Sequence, residues 1–283
     1  MMKKYRNLTL NEITALRSQM CSAADWNDIL VSEDFTPDHV FYARFSGKVH
    51  LGSFNKEFEL AGGMKKHAGL YHVTLHNVTV GDDCCIENVK NYIANYEIGG
   101  DNTFIENVDI ILTDCRSSFG NGVEVAVLNE TGGREVVIYD RLSAQTAYVM
   151  ALYRHSPQMV AQLREVIGKY VESVSSDVGH VGSNVVIADA GYIKNVKIGD
   201  CCKIEGASRL KNGSINSTAS APVHVGVNVI GDDFIISSGA SVEDGVTFSR
   251  CFIGQACKLG HNYSASDSLF FGNCQGENGE ACA

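Results

Sequence analysis

Residues 181–210 read VGSNVVIADAGYIKNVKIGDCCKIEGASRL and place a bulky apolar residue at the start of nearly every group of six. A small or slim side chain lies four positions later in most groups, as Val185 and Cys202 do. The pattern extends to residue 271, with occasional five-residue steps. Its apolar positions are Val181, Ile187, Ile193, Ile198, Ile204, Leu210, Ile230, Ile236, Val242, Phe248, Ile253, Leu259, Ala265 and Phe271. A short fixed repeat of this kind determines the architecture of a chain.

A period of six residues is typical of short β-strands and not of a helix. Because six is even, side chains that alternate across a strand return to the same side after every step. Glycine, which often follows the apolar residue, permits turns that a Cβ would hinder. One step alone buries little, whereas stacked steps pair each strand in parallel with the one above and build a continuous core. The repeat therefore predicts a mainly β chain folded as a parallel solenoid.

These residues resemble the hexapeptide-repeat family, whose motif is [LIV]-[GAED]-x-x-[STAV]-x. Three groups fit it well: VGSNVV from Val181, IGDCCK from Ile198 and IGQACK from Ile253. The resemblance implies a left-handed parallel β-helix with three steps per coil, assembled as a trimer. Phe234 and Tyr263 depart from the motif, because they stand where the family has a small residue.

The same unit occurs on both sides of the middle of the chain. Val80-Gly-Asp, followed by Ile86-Glu, repeats the unit Ile198-Gly-Asp, followed by Ile204-Glu. We therefore expect one solenoid that is interrupted, and not two separate folds. The predicted organisation is a helical N-terminal cap at 1–34, a first β-helix section at 35–140, an inserted helical hairpin at 141–175 and a second β-helix section at 176–283.

The predicted cap consists of two helices. Thr9 with Glu12 is a capping-box pattern, and Ser22 is placed to cap a second short helix that runs through Trp26, Ile29 and Leu30. Such a cap would cover the open end of a solenoid, because terminal repeats expose their apolar face.

The predicted insertion has a helix from Leu142 to Tyr153 and a second one that begins at Ser156-Pro157, where proline suits the first helical position. A broad apolar stripe follows between Met159 and Val174. Two alternatives remain open at this point: the hairpin packs along the flank of the solenoid, or it docks on a neighbouring subunit.

Composition restricts the partners. The net charge of −10 argues against nucleic acid, and no apolar stretch approaches the length of a membrane span. The N-terminus lacks the apolar run of a signal peptide.

The 10 cysteines do not have metal-ligand spacing, and several occupy the small position of the repeat. We therefore expect them to be small buried side chains and the protein to be in the reducing cytoplasm.

His261 is the strongest candidate for catalysis. In the sequence Leu259-Gly-His-Asn-Tyr-Ser it stands two residues after an apolar position. Hexapeptide acyltransferases that act on sugar nucleotides have their general base, a histidine, at this place, so the resemblance implies that role for His261. An imidazole can take a proton from an acceptor hydroxyl or amine as it attacks a thioester. Asn262 stands where the family has an acid and is a candidate substrate contact. The alternative is an ordinary exposed histidine.

A second candidate is the sequence Asn129-Glu130-Thr-Gly-Gly-Arg134-Glu135, just before the insertion. Glycines with an arginine can bind an anion, so Arg134 and Glu130 are predicted substrate contacts. The alternative, which the residues favour, is a hairpin turn held by salt bridges.

Two further clusters carry weaker predictions. In the cluster of His67, His72 and His76, the last two share a face if the segment is β and are expected to be outward polar side chains, with metal binding as the alternative. The sequence Leu60-Ala-Gly-Gly-Met-Lys-Lys is similar to the opening of the phosphate loop of sugar-phosphate nucleotidyltransferases, but the following glycine and arginine of that family are absent. No metal or covalently bound cofactor is predicted.

The resemblance to the hexapeptide-repeat family implies a transferase of that class, which moves an acyl group from acyl-CoA to a sugar nucleotide or sugar phosphate. A non-catalytic scaffold that binds a nucleotide sugar or a partner protein is the alternative. The order of segments also resembles the N-terminal part of larger β-helix proteins that are labelled sugar-phosphate nucleotidyltransferases. The third hypothesis is therefore that this chain shares only the label of a nucleotidyltransferase and not its activity. That resemblance implies a longer chain, of which this sequence is a part.

Overall fold

The computed structural model describes residues 4–127 and 132–282. The α-helices are α1 (Leu10–Ser18), α2 (Ala144–Leu152) and α3 (Pro157–Val174), and short 3-10 helices cover Trp26–Asp28, Pro37–His39 and Ala61–Gly63. The strands are β1 (Tyr5–Asn7), β2 (Ser22–Ala23), β3 (Ile29–Ser32), β4 (Val40–Ser46), β5 (Val49–Leu51), β6 (Glu57–Glu59), β7 (Lys65–His67), β8 (Gly69–Val80), β9 (Cys85–Glu87), β10 (Tyr92–Ile98), β11 (Phe104–Glu106), β12 (Ile110–Leu112), β13 (Glu124–Val125), β14 (Val136–Val137), β15 (Gly179–Val181), β16 (Val186–Ala188), β17 (Tyr192–Ile198), β18 (Lys203–Glu205), β19 (Arg209–Ile215), β20 (His224–Val225), β21 (Ile230–Ile236), β22 (Ser241–Val242), β23 (Thr247–Ile253), β24 (Lys258–Gly260), β25 (Ser264–Ser266), β26 (Leu269–Phe270), β27 (Gln275–Glu277) and β28 (Glu280–Ala281). None of the described helices is both long and apolar enough to cross a membrane.

The prediction of a mainly β chain with parallel strands is confirmed. One sheet contains 24 strands, and most of its pairs are parallel, with β1–β3 antiparallel. The register repeats along the chain: Val181 pairs with Ile198, and Ile198 pairs with Ile215, each partner lying 17 residues further on. These paired residues are buried, so stacking produces the continuous apolar core that the repeat predicts.

Side-chain amides form a ladder along one column of turns. Asn95, Asn195 and Asn212 adopt the left-handed conformation, with φ of 55°, 53° and 50°, which asparagine tolerates better than most residues. Asn195 Nδ2 donates to Asn212 Oδ1 at 3.2 Å, and Asn212 Nδ2 donates to Asp233 Oδ1 at 3.0 Å. The ladder therefore joins successive coils at the point where the backbone leaves the strand conformation.

The N-terminal segment contains one of the two predicted helices. α1 begins after Thr9, whose side chain forms the predicted capping box with Glu12. The predicted second helix is wrong, because only Trp26–Asp28 is helical, as a single 3-10 turn, and β3 follows at once. β3 pairs in parallel with β5 and buries its alternate residues, so tertiary pairing overrides a weak local helix preference.

One apolar position of the predicted ladder is displaced by packing. The register pairs Leu210 with Gly231 and not with Ile230, which is only half-buried and faces outward. Glycine is required at 231 because a Cβ there would overlap the ring of Phe248 in the next coil. The volume of one large ring is thus accommodated by a residue without a side chain.

The sheet continues across the middle of the chain. β10 pairs with β15, β11 with β16 and β12 with β17, although residues 114–178 separate these strands. We call residues 114–178 the insertion; in its described part it contains β13, β14, α2 and α3. One solenoid therefore extends on both sides of the insertion.

The insertion packs along the flank of its own solenoid, which was one of the two alternatives. Ile235 and Phe252 face outward from neighbouring strands, yet both are buried, because they join a cluster with the insertion. The insertion contributes Val125, Val136, Val137, Ile138, Leu142, Ala147, Met150, Ala151 and Ile167 to this cluster.

The cysteines at the small interior positions are buried, as predicted. Cys84, Cys202 and Cys257 are each at most 1% exposed, and all 10 cysteines are free. Burial raises the pKa of the Cys257 thiol, so this residue behaves as a small apolar side chain under ordinary conditions.

Candidate functional site

A polar groove of about 420 Å³ lies between the insertion and the solenoid, and we call it the insertion groove. One wall is the segment 140–144, which leads into α2, and the other is formed by turns that follow β19, β21 and β23. Its polar lining residues are Asp140, Arg141, Ser143, Asn216, Ser237, Ser238 and Gln255.

Asp140 is held firmly in this wall. Its carboxylate accepts hydrogen bonds from Asn216 Nδ2 and Tyr170 Oη, both at 2.9 Å, and its N–H donates to Asn121 Oδ1 at 2.8 Å. Burial and the adjacent Asp140 charge raise the pKa of Tyr170 to about 12, so the phenol stays protonated and continues to donate. Asp140 thus offers its remaining lone pairs in a fixed orientation.

Arg141 supplies a positive charge to the groove. Its guanidinium lies over the Tyr170 ring at 5.0 Å from the centroid, and the residue is exposed. Within residues 4–127 and 132–282, the arginine ion pairs involve Arg6, Arg116, Arg164, Arg209 and Arg250 and do not include Arg141. The guanidinium is therefore available to an anion.

The solenoid wall combines hydroxyl and amide groups with apolar rings. Gln255 Nε2 donates to Ser238 Oγ at 3.2 Å, and the two side chains lie on successive coils. Phe252 and Phe271 also line the groove, with ring centroids 5.7 Å apart. Such a wall can accept hydrogen bonds from the hydroxyl groups of a ligand and donate hydrogen bonds to them. It can also pack against the apolar face of a ligand ring.

The start of α2 adds to the positive potential near Arg141. Ser143 caps this helix and accepts a hydrogen bond from the Thr146 N–H at 3.2 Å. The first N–H groups of a helix carry a partial positive charge. Taken together, the groove has the chemistry to bind a small ligand that carries both hydroxyl groups and a negative charge.

His261 and Asn262 lie in a turn after β24, and neither lines the insertion groove. Both have left-handed φ, 53° and 62°, and both are exposed. The Asn262 N–H donates to Asp244 O at 3.0 Å, and its side-chain oxygen occupies the space that a Cβ on Gly245 would need. Asn262 therefore helps to stack this turn on the one below, while the imidazole of His261 is open to solvent.

Arg134 lies in the loop before β14, and Glu130 is outside the described residues. Arg154 Nη2 donates to Gly133 O at 2.5 Å, and Arg164 Nη2 donates to Glu135 O at 2.7 Å. Arg164 also pairs with Glu124 at 2.6 Å. Arginines from outside thus hold residues 133–135 in place, and Arg134 does not belong to the lining of the insertion groove.

The three clustered histidines go to three different partners. His67 stacks on His39 with centroids 3.4 Å apart, and His72 stacks on Tyr42 at 4.4 Å. His76 Nδ1 lies 2.8 Å from Ser46 Oγ. Across residues 4–127 and 132–282, no group of three His, Cys, Asp or Glu side chains has the arrangement of a metal site.

The glycine pair Gly62-Gly63 forms the tip of the β6–β7 hairpin, with φ of 82° and 80°. Beyond the tip, the Lys66 ammonium pairs with the carboxylates of Glu87 and Glu106 on the solenoid face. Because two carboxylates already neutralise Lys66, this hairpin is anchored by ion pairs and offers its lysine poorly to a phosphate.

Sequence reasoning did not find the insertion groove. Asp140 and Arg141 stand next to the predicted start of the inserted hairpin, but nothing in their spacing separates them from ordinary surface residues. Asn216, which bonds Asp140, is 76 positions away, and Ser238 on the facing wall is still further along the chain. A contact of this kind depends on how the insertion packs on the solenoid, and local sequence patterns do not predict that packing.

Comparison with known proteins places the chain in a family. An uncharacterized protein from Treponema pallidum (strain Nichols) is 25% identical over 251 residues, which cover 85% of this chain and 34% of that protein. The chain thus spans about a third of the length of this relative. The model of the Domain of unknown function (DUF4954) matches residues 5–283. The chain therefore belongs to the DUF4954 family.

Proposed function

We propose that this chain is a left-handed β-helix of the hexapeptide type that binds a sugar phosphate or sugar nucleotide in the insertion groove. The observation that carries the proposal is that Arg141, free of ion pairs in the described part of the chain, lines the same groove as the hydrogen-bonded pair Ser238 and Gln255. The guanidinium and the start of α2 suit the phosphate. Asp140 and the wall suit the hydroxyl groups of the sugar.

Replacing Arg141 with alanine tests this proposal. Because a hydrogen bond to a charged group contributes about 1.5–3 kcal/mol, we expect the dissociation constant for a sugar phosphate to rise about tenfold or more. Isothermal titration calorimetry measures this dissociation constant, with glucose 1-phosphate and UDP-N-acetylglucosamine as the probes.

The matched control is Lys169→Ala, which removes a positive charge from the exposed side of α3, where Lys169 pairs with Glu165. This control should bind as the unmodified protein does. Equal affinity of the Arg141 variant and the control would contradict the proposed site, as would a lack of binding by the unmodified protein to either probe.

Acyl transfer is the second candidate function, and the observation in its favour is the solvent-exposed imidazole of His261 in its turn after β24. In this proposal His261 is the base, acyl-CoA is the donor, and Asn262, Arg134 and Glu130 contact the acceptor. The donor and acceptor would meet between subunits of a trimer, which a measurement of the solution mass tests.

For that candidate, His261→Gln should lower the rate of transfer by about 100-fold or more, since general-base catalysis contributes roughly that factor. Release of free CoA thiol from a panel of acyl-CoA donors is the measurement. His224→Gln, two coils before β24, is the control for loss of a partly exposed imidazole. Undiminished release in the His261 variant would remove His261 from the mechanism.

A further inference from the structure

Three successive coils near the N-terminus place large side chains at one backbone corner of the solenoid. The corner residue has a left-handed φ in each of them, 63° at Met20, 53° at Tyr42 and 55° at His72. These positions are equivalent, because the residues two places later pair with one another across β2, β4 and β8. The coils that follow have small polar residues with left-handed φ at this corner, namely Asn88, Asn107 and Asp189.

Large residues are unfavourable at this corner. Asparagine and aspartate tolerate the left-handed region, whereas a bulky side chain there is strained. Tyr42 is 50% exposed and His72 is exposed as well, so little burial of apolar surface offsets the strain. Residues held in such conformations cluster at ligand-binding and active sites. The rings of Tyr42 and His72 are therefore candidates for contact with a ligand.

A groove of about 340 Å³ adjoins these two rings, and we call it the corner groove. The rings of Tyr42 and His72 stack with centroids 4.4 Å apart and 8° between their planes. Arg44 of β4 and Lys90, in the turn before β10, also line the groove, and both are exposed. Of the described residues in its lining, these two are cationic and none is a carboxylate. The corner groove is thus locally positive in a chain whose net charge is −10.

Both cations have donors to offer an anion. In the part of the chain that the structure describes, the arginine ion pairs do not include Arg44, so its planar guanidinium is available to a phosphate. Lys90 pairs with Asp109 at 2.6 Å, and both side chains of that pair are solvent-exposed. Such a pair is weak, and an ammonium group has three donors, so Lys90 can bind a second anion.

We propose that the corner groove binds a nucleoside monophosphate, whose base stacks on the Tyr42–His72 ring pair and whose phosphate binds Arg44 and Lys90. Every base has a face that stacks on an aromatic side chain, and the amide of Asn91 in the lining suits the polar edge of a base. The volume of the groove lies within the range of small-molecule sites. The corner groove and the insertion groove share no lining residue, so this proposal is independent of the proposed function.

Isothermal titration calorimetry of the full chain with AMP, adenosine and ribose 5-phosphate tests the proposal. We expect AMP to bind about tenfold or more tightly than either of the other two probes, because only AMP carries both the base and the phosphate. Arg44→Ala should raise the dissociation constant for AMP about tenfold or more. Arg209→Ala, which removes an exposed arginine from β19, is the matched control and should bind AMP as the unmodified protein does.

The two proposed grooves fail separately. Arg141→Ala, which weakens the insertion groove, should leave the affinity for AMP unchanged, and Arg44→Ala should leave the affinity for glucose 1-phosphate unchanged. Absence of AMP binding to the unmodified protein would overturn the corner groove. Equal affinities for AMP and ribose 5-phosphate would also overturn it, because the rings would then contribute nothing.

His72→Asn separates a role in binding from a role in folding. Asparagine occupies the same corner in the next coil, at Asn88, so the variant should have the same Tm as the unmodified protein or a higher one. Its dissociation constant for AMP should nevertheless rise about tenfold, because a stacking surface is lost. A lower Tm, measured by circular dichroism, would make the ring pair a structural feature and contradict the proposal. Unchanged affinity for AMP in this variant would overturn it as well.

Discussion

Replacing Phe234 with alanine should lower the free energy of unfolding by about 3–5 kcal/mol, the usual cost of removing a buried aromatic ring. Phe234 is completely buried, and its ring packs edge-to-face on Phe248 with centroids 5.2 Å apart. It stands where the hexapeptide motif has a small residue, and the structure accommodates it over Gly213 in the coil below. Urea denaturation followed by circular dichroism measures the loss.

The coupling between Phe234 and Gly213 makes this prediction specific. A Cβ on Gly213 would overlap the Phe234 ring, so Gly213→Val alone should also destabilise the protein. The double variant should lose less than the two single losses added together, because valine fills part of the space that the ring leaves. Strict additivity would contradict this account of the packing. Phe41→Ala, at a half-buried outward ring, is the control and should cost much less.

Replacing Phe252 with alanine should detach the insertion from the solenoid. Phe252 faces outward and is only 3% exposed, because the cluster of the insertion covers it. Loss of its ring costs about 3–5 kcal/mol. We expect this loss to lower the free energy that is required to open the insertion away from the solenoid. Hydrogen exchange measured on peptides from α2 and α3 should accelerate about 100-fold or more, since 1.4 kcal/mol corresponds to a factor of ten.

Peptides from β17, β19 and β21 should keep most of their protection in the Phe252 variant, because these strands pair with one another in the solenoid. Ile230→Ala, at an outward residue that does not belong to the cluster, is the matched control and should leave exchange of α2 and α3 unchanged. Uniform acceleration over the whole chain would show that the insertion and the solenoid open together, contrary to the prediction.

Much of the solenoid was predictable because its information is local. Alternation along a strand determines which side chains face inward, and a repeat of even period returns the same face to the core each time. That is why Val181, Ile198 and Ile253 are buried where the repeat places them. The capping box of Thr9 and Glu12 is equally local.

The buried positions that the six-residue count missed have a common physical origin. Ile215 and Val225 belong to the buried ladder, yet a strict count of six passes over them. The chain takes 21 residues from Ile215 to its partner Ile236, whereas most coils take 17. The length of each loop depends on how it packs between stacked coils. Counting residues along the sequence does not predict that packing.

Stacked parallel strands could be predicted from the amino-acid sequence alone, because the six-residue alternation of burial is a property of neighbouring residues. Long-range packing, in contrast, brings the insertion over Ile235 and Phe252 and places Arg141 in one groove with Ser238 and Gln255. These contacts join residues that are far apart in the chain. They form because complementary apolar surfaces exclude water when the insertion docks, and that complementarity exists only in three dimensions.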